Sequence, residues 1–299
     1  MKLLANLHQY SKRLAKSTAT PDSVSVSFAD GTSATGTLLI GADGARSSTR
    51  LSIYGASAGA ATPLPYKAIN MHVTYNDAAV ARKVRAAFVD NKILALAFHP
   101  QGYWLWASVQ GASDESRPET WVFQLQWTWA FSNHSAISSS PSSSASVSDP
   151  ANDKVQLEQL KRVAAREFAE PWRTAWTAIP DGTPVYENSI STWMPAAVPA
   201  EGGFCGKACL AGDAAHAMSF HRGQGLNHGI ADAASIVKEL KQVAAGEKGL
   251  ADAVVEYENE MIARAGEEVK MGKMNTEMVH DWPKLMESPF MKMGGAKSS

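Results

Sequence analysis

Residues 208–240 read ACLAGDAAHAMSFHRGQGLNHGIADAASIVKEL. The run opens on Ala208, Cys209, Leu210 and Ala211, a short apolar segment suited to a buried strand. Gly212-Asp213 follows, and then a loop carrying Gly223, Gln224 and Gly225. Beyond Gly225 the positions Leu226, Ile230, Ala233, Val237 and Leu240 fall four, three, four and three apart, which lines one face of a helix. Strand, acidic turn, glycine-rich loop and helix N-terminus together form a seat for a large anionic group. Exposed N–H groups and the helix dipole favour negative charge there, and glycine lets the backbone approach a ligand closely.

Upstream, a second run places Gly41-Ala42-Asp43-Gly44-Ala45-Arg46-Ser47 at the end of an apolar segment, with Arg50 three residues on. An Asp-Gly pair by itself is most often a turn former. The two runs together resemble the GD and DG motifs of the class A flavin-dependent monooxygenases, the aromatic-hydroxylase family that includes salicylate hydroxylase-like enzymes. Gly212, Asp213, Ala214, Ala215, His216, Gly223, Gln224, Gly225, Asn227, Asp232 and Ala233 stand in register with the GD pattern. Gly41, Ala42, Asp43, Gly44, Ser47 and Arg50 stand in register with the DG pattern.

The resemblance implies an FAD-dependent oxidoreductase with NAD(P)H as reductant. Its substrates would be O2 and a small aromatic or polyketide-like molecule, hydroxylated or epoxidised in secondary metabolism. It implies that Asp213 accepts hydrogen bonds from the ribityl chain. Gly212, Gly223, Gly225, Leu226 and Asn227 would lie along the flavin, and Asp43, Gly44 and Arg46 would lie near both cofactors. No residue is assigned as a catalytic acid or base. Phe220 stands where the motif carries proline, which changes the pocket wall. His216, His221 and His228 do not follow a zinc spacing, so no metal site is expected. Arg222 suits either a phosphate or carboxylate partner or a solvated loop.

The fold class implied is α/β with an α+β mixture. A truncated Rossmann-like FAD-binding domain would carry an inserted antiparallel sheet domain for substrate, followed by C-terminal helices. The expected division is 1–60 as a partial FAD domain, 61–195 as the sheet-rich substrate domain, 196–245 as the GD region and 246–299 as a C-terminal helix and tail. A GxGxxG unit, which cradles pyrophosphate, does not occur in these residues. Gly223-Gln224-Gly225 has its next glycine at Gly229, one position late. The expectation is therefore a chain short of the first βαβ unit. It leaves open a non-catalytic relative acting as a binding or interaction protein, or a partner chain that supplies the missing half.

With 299 residues the chain can bury a substantial core, and a net charge of −1 gives no reason to expect nucleic acid or an anionic membrane. No run of about 20 apolar residues is present. Two cysteines, Cys205 and Cys209, read as packing residues of a reduced, cytoplasmic protein. A helix is expected over 1–16, with strands at 24–28 and 37–40 around an Ala29-Asp30-Gly31 turn. Further strands are expected near 68–75, 92–98, 103–109, 121–127 and 184–195, with no strong helix among the first four. Trp104, Trp106, Trp121, Trp127 and Trp129 suit a sheet core more readily than an aromatic binding wall. Residues 138–148, SSSPSSSASVS, read as a disordered insertion within 135–150. Helices are expected at 153–168 and 251–271, the second with Val254, Tyr257, Met261 and Ala265 as its buried stripe.

Overall fold

The computed structural model describes residues 8–86, 88, 93–112, 114–133 and 150–294. The Ser-rich stretch 138–148, residues 1–7 and the last five residues lie outside those described. In chain order the first elements are β1 (Leu14–Ala19), β2 (Val24–Phe28), β3 (Ser33–Gly36), β4 (Leu39–Gly41) and α1 (Ser48–Ala58). Next come β5 (Thr62–Val73), α2 (Ala78–Arg85), β6 (Leu94–His99), β7 (Tyr103–Gly111) and β8 (Val122–Ala130). α3 (Pro150–Glu167), α4 (Trp172–Thr177), β9 (Tyr186–Thr192) and β10 (Ala208–Leu210) follow. The chain closes with α5 (Gly225–Ala244), α6 (Leu250–Val279), α7 (Trp282–Glu287) and α8 (Pro289–Gly294).

Two compact units emerge, Met1–Pro63 with Ser191–Thr276, and Leu64–Ile190 with Glu277–Ser299. The second thus combines a segment inserted into the first with the segment that follows it. In the first unit β1, β2 and β3 form an antiparallel sheet in that order. The expected N-terminal helix is corrected here: no described residue before Leu14 is helical, and Leu14 to Ala19 pairs with β2 from Leu14↔Phe28 to Ala19↔Val24. Thr18 suits a strand, and cross-strand pairing outweighs the helix preference of the leucines. The turn at Ala29–Gly31 is present, with Gly31 at φ +84° and the Thr32 amide donating to Asp30 Oδ1 at 3.0 Å.

The second unit is organised on a five-stranded sheet of order β6-β7-β8-β5-β9, in which β6, β7, β8 and β5 run antiparallel. Side chains alternate between faces. One face buries Ile69, Met71, Tyr103, Leu125, Trp127 and Trp129 together with Leu157 and Leu160 of α3 and Trp176 of α4. Trp127 is fully buried, with ring centroids 4.7 Å from Phe168, 5.0 Å from Tyr103 and 5.2 Å from Trp176. Edge-to-face contacts of this kind add about 1 kcal/mol each beyond area burial. α2 interrupts the strands where no helix is expected. Asp77 starts it by accepting from the Ala79 amide at 2.7 Å and the Val80 amide at 3.1 Å.

One further correction concerns the first unit. Cys209 is buried, as a packing residue should be, but Cys205 is exposed. Most of the apolar stripe of α5 faces solvent: Leu226 is 76% exposed, Ile230 60% and Val237 52%, while Leu240 packs against the core. The buried side of that helix carries Asp232, Ile236 and Glu239 instead. Periodicity shows that a helix has an apolar face, but not that the face finds a partner. Here polar bonds from Asp232 and close passage of Gly229, whose added Cβ would sit 3.7 Å from Gly212 Cα, set the rotation of the helix. On α6 the stripe Val254, Tyr257, Met261 and Ala265 is buried, in a helix running past 271 to Val279.

Candidate functional site

Both motif turns hang from one parallel strand pair. β4 and β10 pair with the register Leu39↔Ala208, Ile40↔Cys209 and Gly41↔Leu210. The strands end side by side, so the turns that leave them are neighbours. Gly41 makes that possible: a Cβ there would lie 2.6 Å from Thr49 Cγ2 and 2.7 Å from Leu210 Cδ2. Only a residue without a side chain fits.

In the turn after β4, Gly44 takes φ +80° and Asp43 folds onto the first turn of α1. Asp43 Oδ1 accepts from the Ser47 hydroxyl, and Oδ2 accepts from the Thr49 amide at 3.0 Å and hydroxyl at 3.1 Å. Partial burial works to raise the Asp43 pKa, but the bonds from Ser47 and Thr49 outweigh it and hold the carboxyl below its ordinary value. Ser47 caps α1 by accepting from the Arg50 amide at 2.8 Å. Asp43 is therefore already committed to shaping this turn. Arg46 is exposed.

Arg50 joins the two turns. It is 2% exposed and meets no carboxylate directly. Its guanidinium donates to the carbonyls of Ala45 at 2.6 Å, Gly59 at 2.8 Å and Ala214 at 2.9 Å, with Asp213 O at 3.4 Å. The Trp193 ring lies 5.1 Å away and itself donates from Nε1 to Ala58 O at 2.8 Å. A buried cation thus draws carbonyls from both motifs to one point.

In the turn after β10, Gly212 takes φ +59° and Asp213 is exposed. The backbone of that turn is tied to α5 and α6. Asp232 Oδ2 accepts from the Gly212 amide at 2.7 Å and lies 2.6 Å from His216 Nε2. Asp232 Oδ1 accepts from Arg264 of α6 at 2.7 Å. The loop before α5 is anchored too. His221 Nδ1 lies 2.9 Å from Thr276 Oγ1, and Arg222 Nε donates to Glu268 at 2.6 Å. Arg222 is thereby placed as an ion-pair partner of α6. Phe220, in the place of the expected proline, stacks on the His221 ring at 4.7 Å.

α5 then begins without a side-chain cap. Gln224 is its N-cap residue, takes an αR conformation and puts no side-chain bond on the first-turn amides. Gly223 before it has φ +65°. The first-turn N–H groups of a helix have no intrahelical partner, so those at Gly225, Leu226 and Asn227 stay open. The Asp213 carboxylate stands over this end, with Oδ1 3.5 Å from where a Cβ on Gly225 would be. The result is an exposed acceptor beside uncapped donors at the positive end of a helix. That arrangement fits a group bearing both hydroxyls and negative charge.

Of the residues singled out from sequence, the structure draws Gly212, Asp213 and Gly225 together, with Gly223, Leu226 and Asn227 on the same helix start. Asp43, Gly44 and Arg46 occupy the adjoining turn. Arg264, Glu268 and Trp193 carry much of the support and have no local signature. Asp232 has one, its register within the GD pattern.

A family model described as an FAD binding domain matches residues 9–270. The chain is 36% identical over 290 residues to the FAD-dependent monooxygenase phnB of Penicillium herquei, covering 96% of this chain and 66% of that protein. It is 31% identical to the FAD-dependent monooxygenase cctM of Talaromyces islandicus, covering 96% of this chain and 67% of that one. Among solved structures, HpxO of Klebsiella pneumoniae with FAD and uric acid shares the fold at a TM-score of 0.66 and 21% identity, over 92% of this chain and 60% of that one. The chain thus spans about two thirds of the length of these curated relatives. On the match to the FAD-binding model and to these relatives, the chain belongs to the class A FAD-dependent monooxygenase family.

Proposed function

We propose that this chain provides the ribityl and ring side of the FAD seat in a monooxygenase. Its reaction would oxidise an aromatic or polyketide-like small molecule with NAD(P)H and O2, in the cytoplasm and in secondary metabolism. The observation that carries this reading is the exposed Asp213 carboxylate standing over the uncapped start of α5. FAD, when bound, supplies the redox chemistry. Asp213 would accept from ribityl hydroxyls, and Gly212, Gly223, Gly225, Leu226 and Asn227 would offer backbone along the flavin. The open amides of α5 would stabilise negative charge on the reduced ring. Asp43, Gly44 and Arg46 would shape the neighbouring wall. No described helix is long and apolar enough to cross a membrane.

In this reading the inserted unit holds the substrate. Its sheet face opposite the tryptophan core carries Trp104 and Trp106, stacked 5.9 Å apart at 24°, beside Asn70 and Gln124, whose side-chain amides bond at 3.1 Å. The Trp106 indole N–H is buried without an acceptor among the described residues. A flat ring with an oxygen acceptor would suit that face at the partly exposed Trp106, Trp104 being already buried. The reading is tested by titrating the chain with FAD. Asp213→Asn is expected to weaken binding about tenfold or more, the scale of a lost hydrogen bond to a charged group; unchanged affinity would remove Asp213 from the seat.

A second reading is favoured by the solvent-facing stripe of α5. In the same unit β4 and β10 form, among the described residues, a sheet of two strands, and Ile40 is 39% exposed. Parallel strands are ordinarily covered on both faces, and apolar side chains exposed along one helix face suit a contact surface. Further polypeptide, from a partner chain, would complete the seat. FAD retention only after adding a polypeptide that covers the unmatched third of the relatives supports this version; retention without it removes the need. A chain that stays folded and takes up no FAD in either case would be a non-catalytic binding protein.

A further inference from the structure

We propose that Asp232 is the positioning residue of this seat, acting through the Gly212 amide and held in place by Arg264 and His216. The two parts of the seat belong to different elements. Asp213 leaves β10, and the open amides begin α5. Asp232 is a residue of α5 that reaches back to the turn after β10, so one carboxylate sets the distance between them. Its Oδ2 receives the Gly212 N–H at 2.7 Å, one residue before Asp213, and meets His216 Nε2 at 2.6 Å.

Asp232 is fully buried. A carboxylate in that position is costly unless every oxygen is paired. Arg264 meets the remaining oxygen at 2.7 Å, and is itself aimed by Glu260 at 2.6 Å and by His228 Nδ1 at 3.0 Å. The chain of contacts therefore runs from Glu260 at the surface of α6 to the Gly212 amide. His216, also fully buried, has Nε2 on Asp232 and, among the described residues, no partner for Nδ1. Its ring is oriented by this carboxylate and by an edge contact with the His228 ring, 5.8 Å between centroids. An apolar residue would cover the same helix face without desolvating a charge. What the carboxylate adds is a fixed direction for the amide that precedes Asp213.

The consequence for cofactor rests on the reading that the 212–213 turn receives FAD. Asp232→Asn keeps the shape and removes the charge. It is expected to weaken FAD about ten- to hundredfold, the range for a hydrogen bond to a charged group, and to shift the visible spectrum of the bound flavin. Trp176→Phe, a core change in the inserted unit, is expected to lower stability while leaving affinity and spectrum as they were. Equal weakening in both variants, or an Asp232→Asn protein with unchanged affinity and spectrum, would overturn the proposal. Should Asp232→Asn fail to fold, Arg264→Lys keeps the charge without the planar fork and is expected to weaken FAD about threefold to tenfold; no change overturns the proposal. If the unaltered chain takes up no FAD, the cofactor reading fails and the positioning claim is decided on the free chain. Slow hydrogen exchange of the Gly212 amide that becomes fast in Asp232→Asn supports it, and equally fast exchange in both sinks it.

Discussion

Around Gly212 the buried atoms are charged and few; around Trp127 they are apolar and many. In the first region, Asp232 is buried with three donors, and Arg50 is buried with carbonyls on every arm. In the second, Trp127, Trp129, Trp176 and Tyr103 fill the space between sheet and helices with ring against ring. Aromatic packing is non-directional and sums over many contacts, so it stabilises a shape without fixing one atom. Hydrogen bonds to a buried charge contribute less in total but specify direction. The first region needs one carboxylate and three amides aimed outward, and it uses the directional kind.

The largest effect expected on this contrast is in the aromatic region. Trp127→Ala should lower the unfolding free energy by about 4 kcal/mol, measured by urea denaturation, while folded protein keeps its FAD affinity. Loss of affinity in step with stability would mean the two regions are not separable in this way. Arg50→Met should cost about 3 kcal/mol, because the carbonyls of Ala45, Gly59 and Ala214 lose a charged donor. Unlike Trp127→Ala it should weaken FAD as well, since both turns lose their common anchor.

The last effect is a graded one, a dependence on pH carried by Glu258 of α6. This side chain is 3% exposed, and its nearest bond is from the Val198 amide at 3.2 Å. Burial pushes its pKa from the ordinary 4.5 up to about 7. Between those values the folded chain holds a proton that the unfolded chain has released. Stability should therefore fall as pH rises from 4.5 to about 7, by up to about 1.4 kcal/mol for each pH unit. Glu258→Gln should flatten that slope. A slope that survives the substitution would assign it to another group.

Much of the directional region is legible in the sequence, because its parts are local. β10, the Gly212-Asp213 turn and the start of α5 follow one another, whereas α1 and its Ser47 cap are not among the expected elements. What closes the region is not local. Arg264 lies 32 residues from Asp232 and Glu268 lies 46 from Arg222, and neither position differs in sequence from an ordinary exposed helix residue. The face that α5 buries is set by those contacts, so its apolar stripe misleads. The same limit applies at Leu14 to Ala19, where the pairing partner Val24–Phe28, rather than local propensity, makes a strand. The aromatic region is legible by alternation and β-preference, with α2 the exception, since its signal is one capping aspartate.

The most direct test of the account is the visible absorbance spectrum of the purified chain after adding FAD and removing the unbound cofactor. A retained flavin with a spectrum shifted from that of free FAD is the result expected if the Gly212-Asp213 turn and the start of α5 form a seat. A colourless protein that still melts cooperatively would contradict the claim that this chain seats FAD by itself.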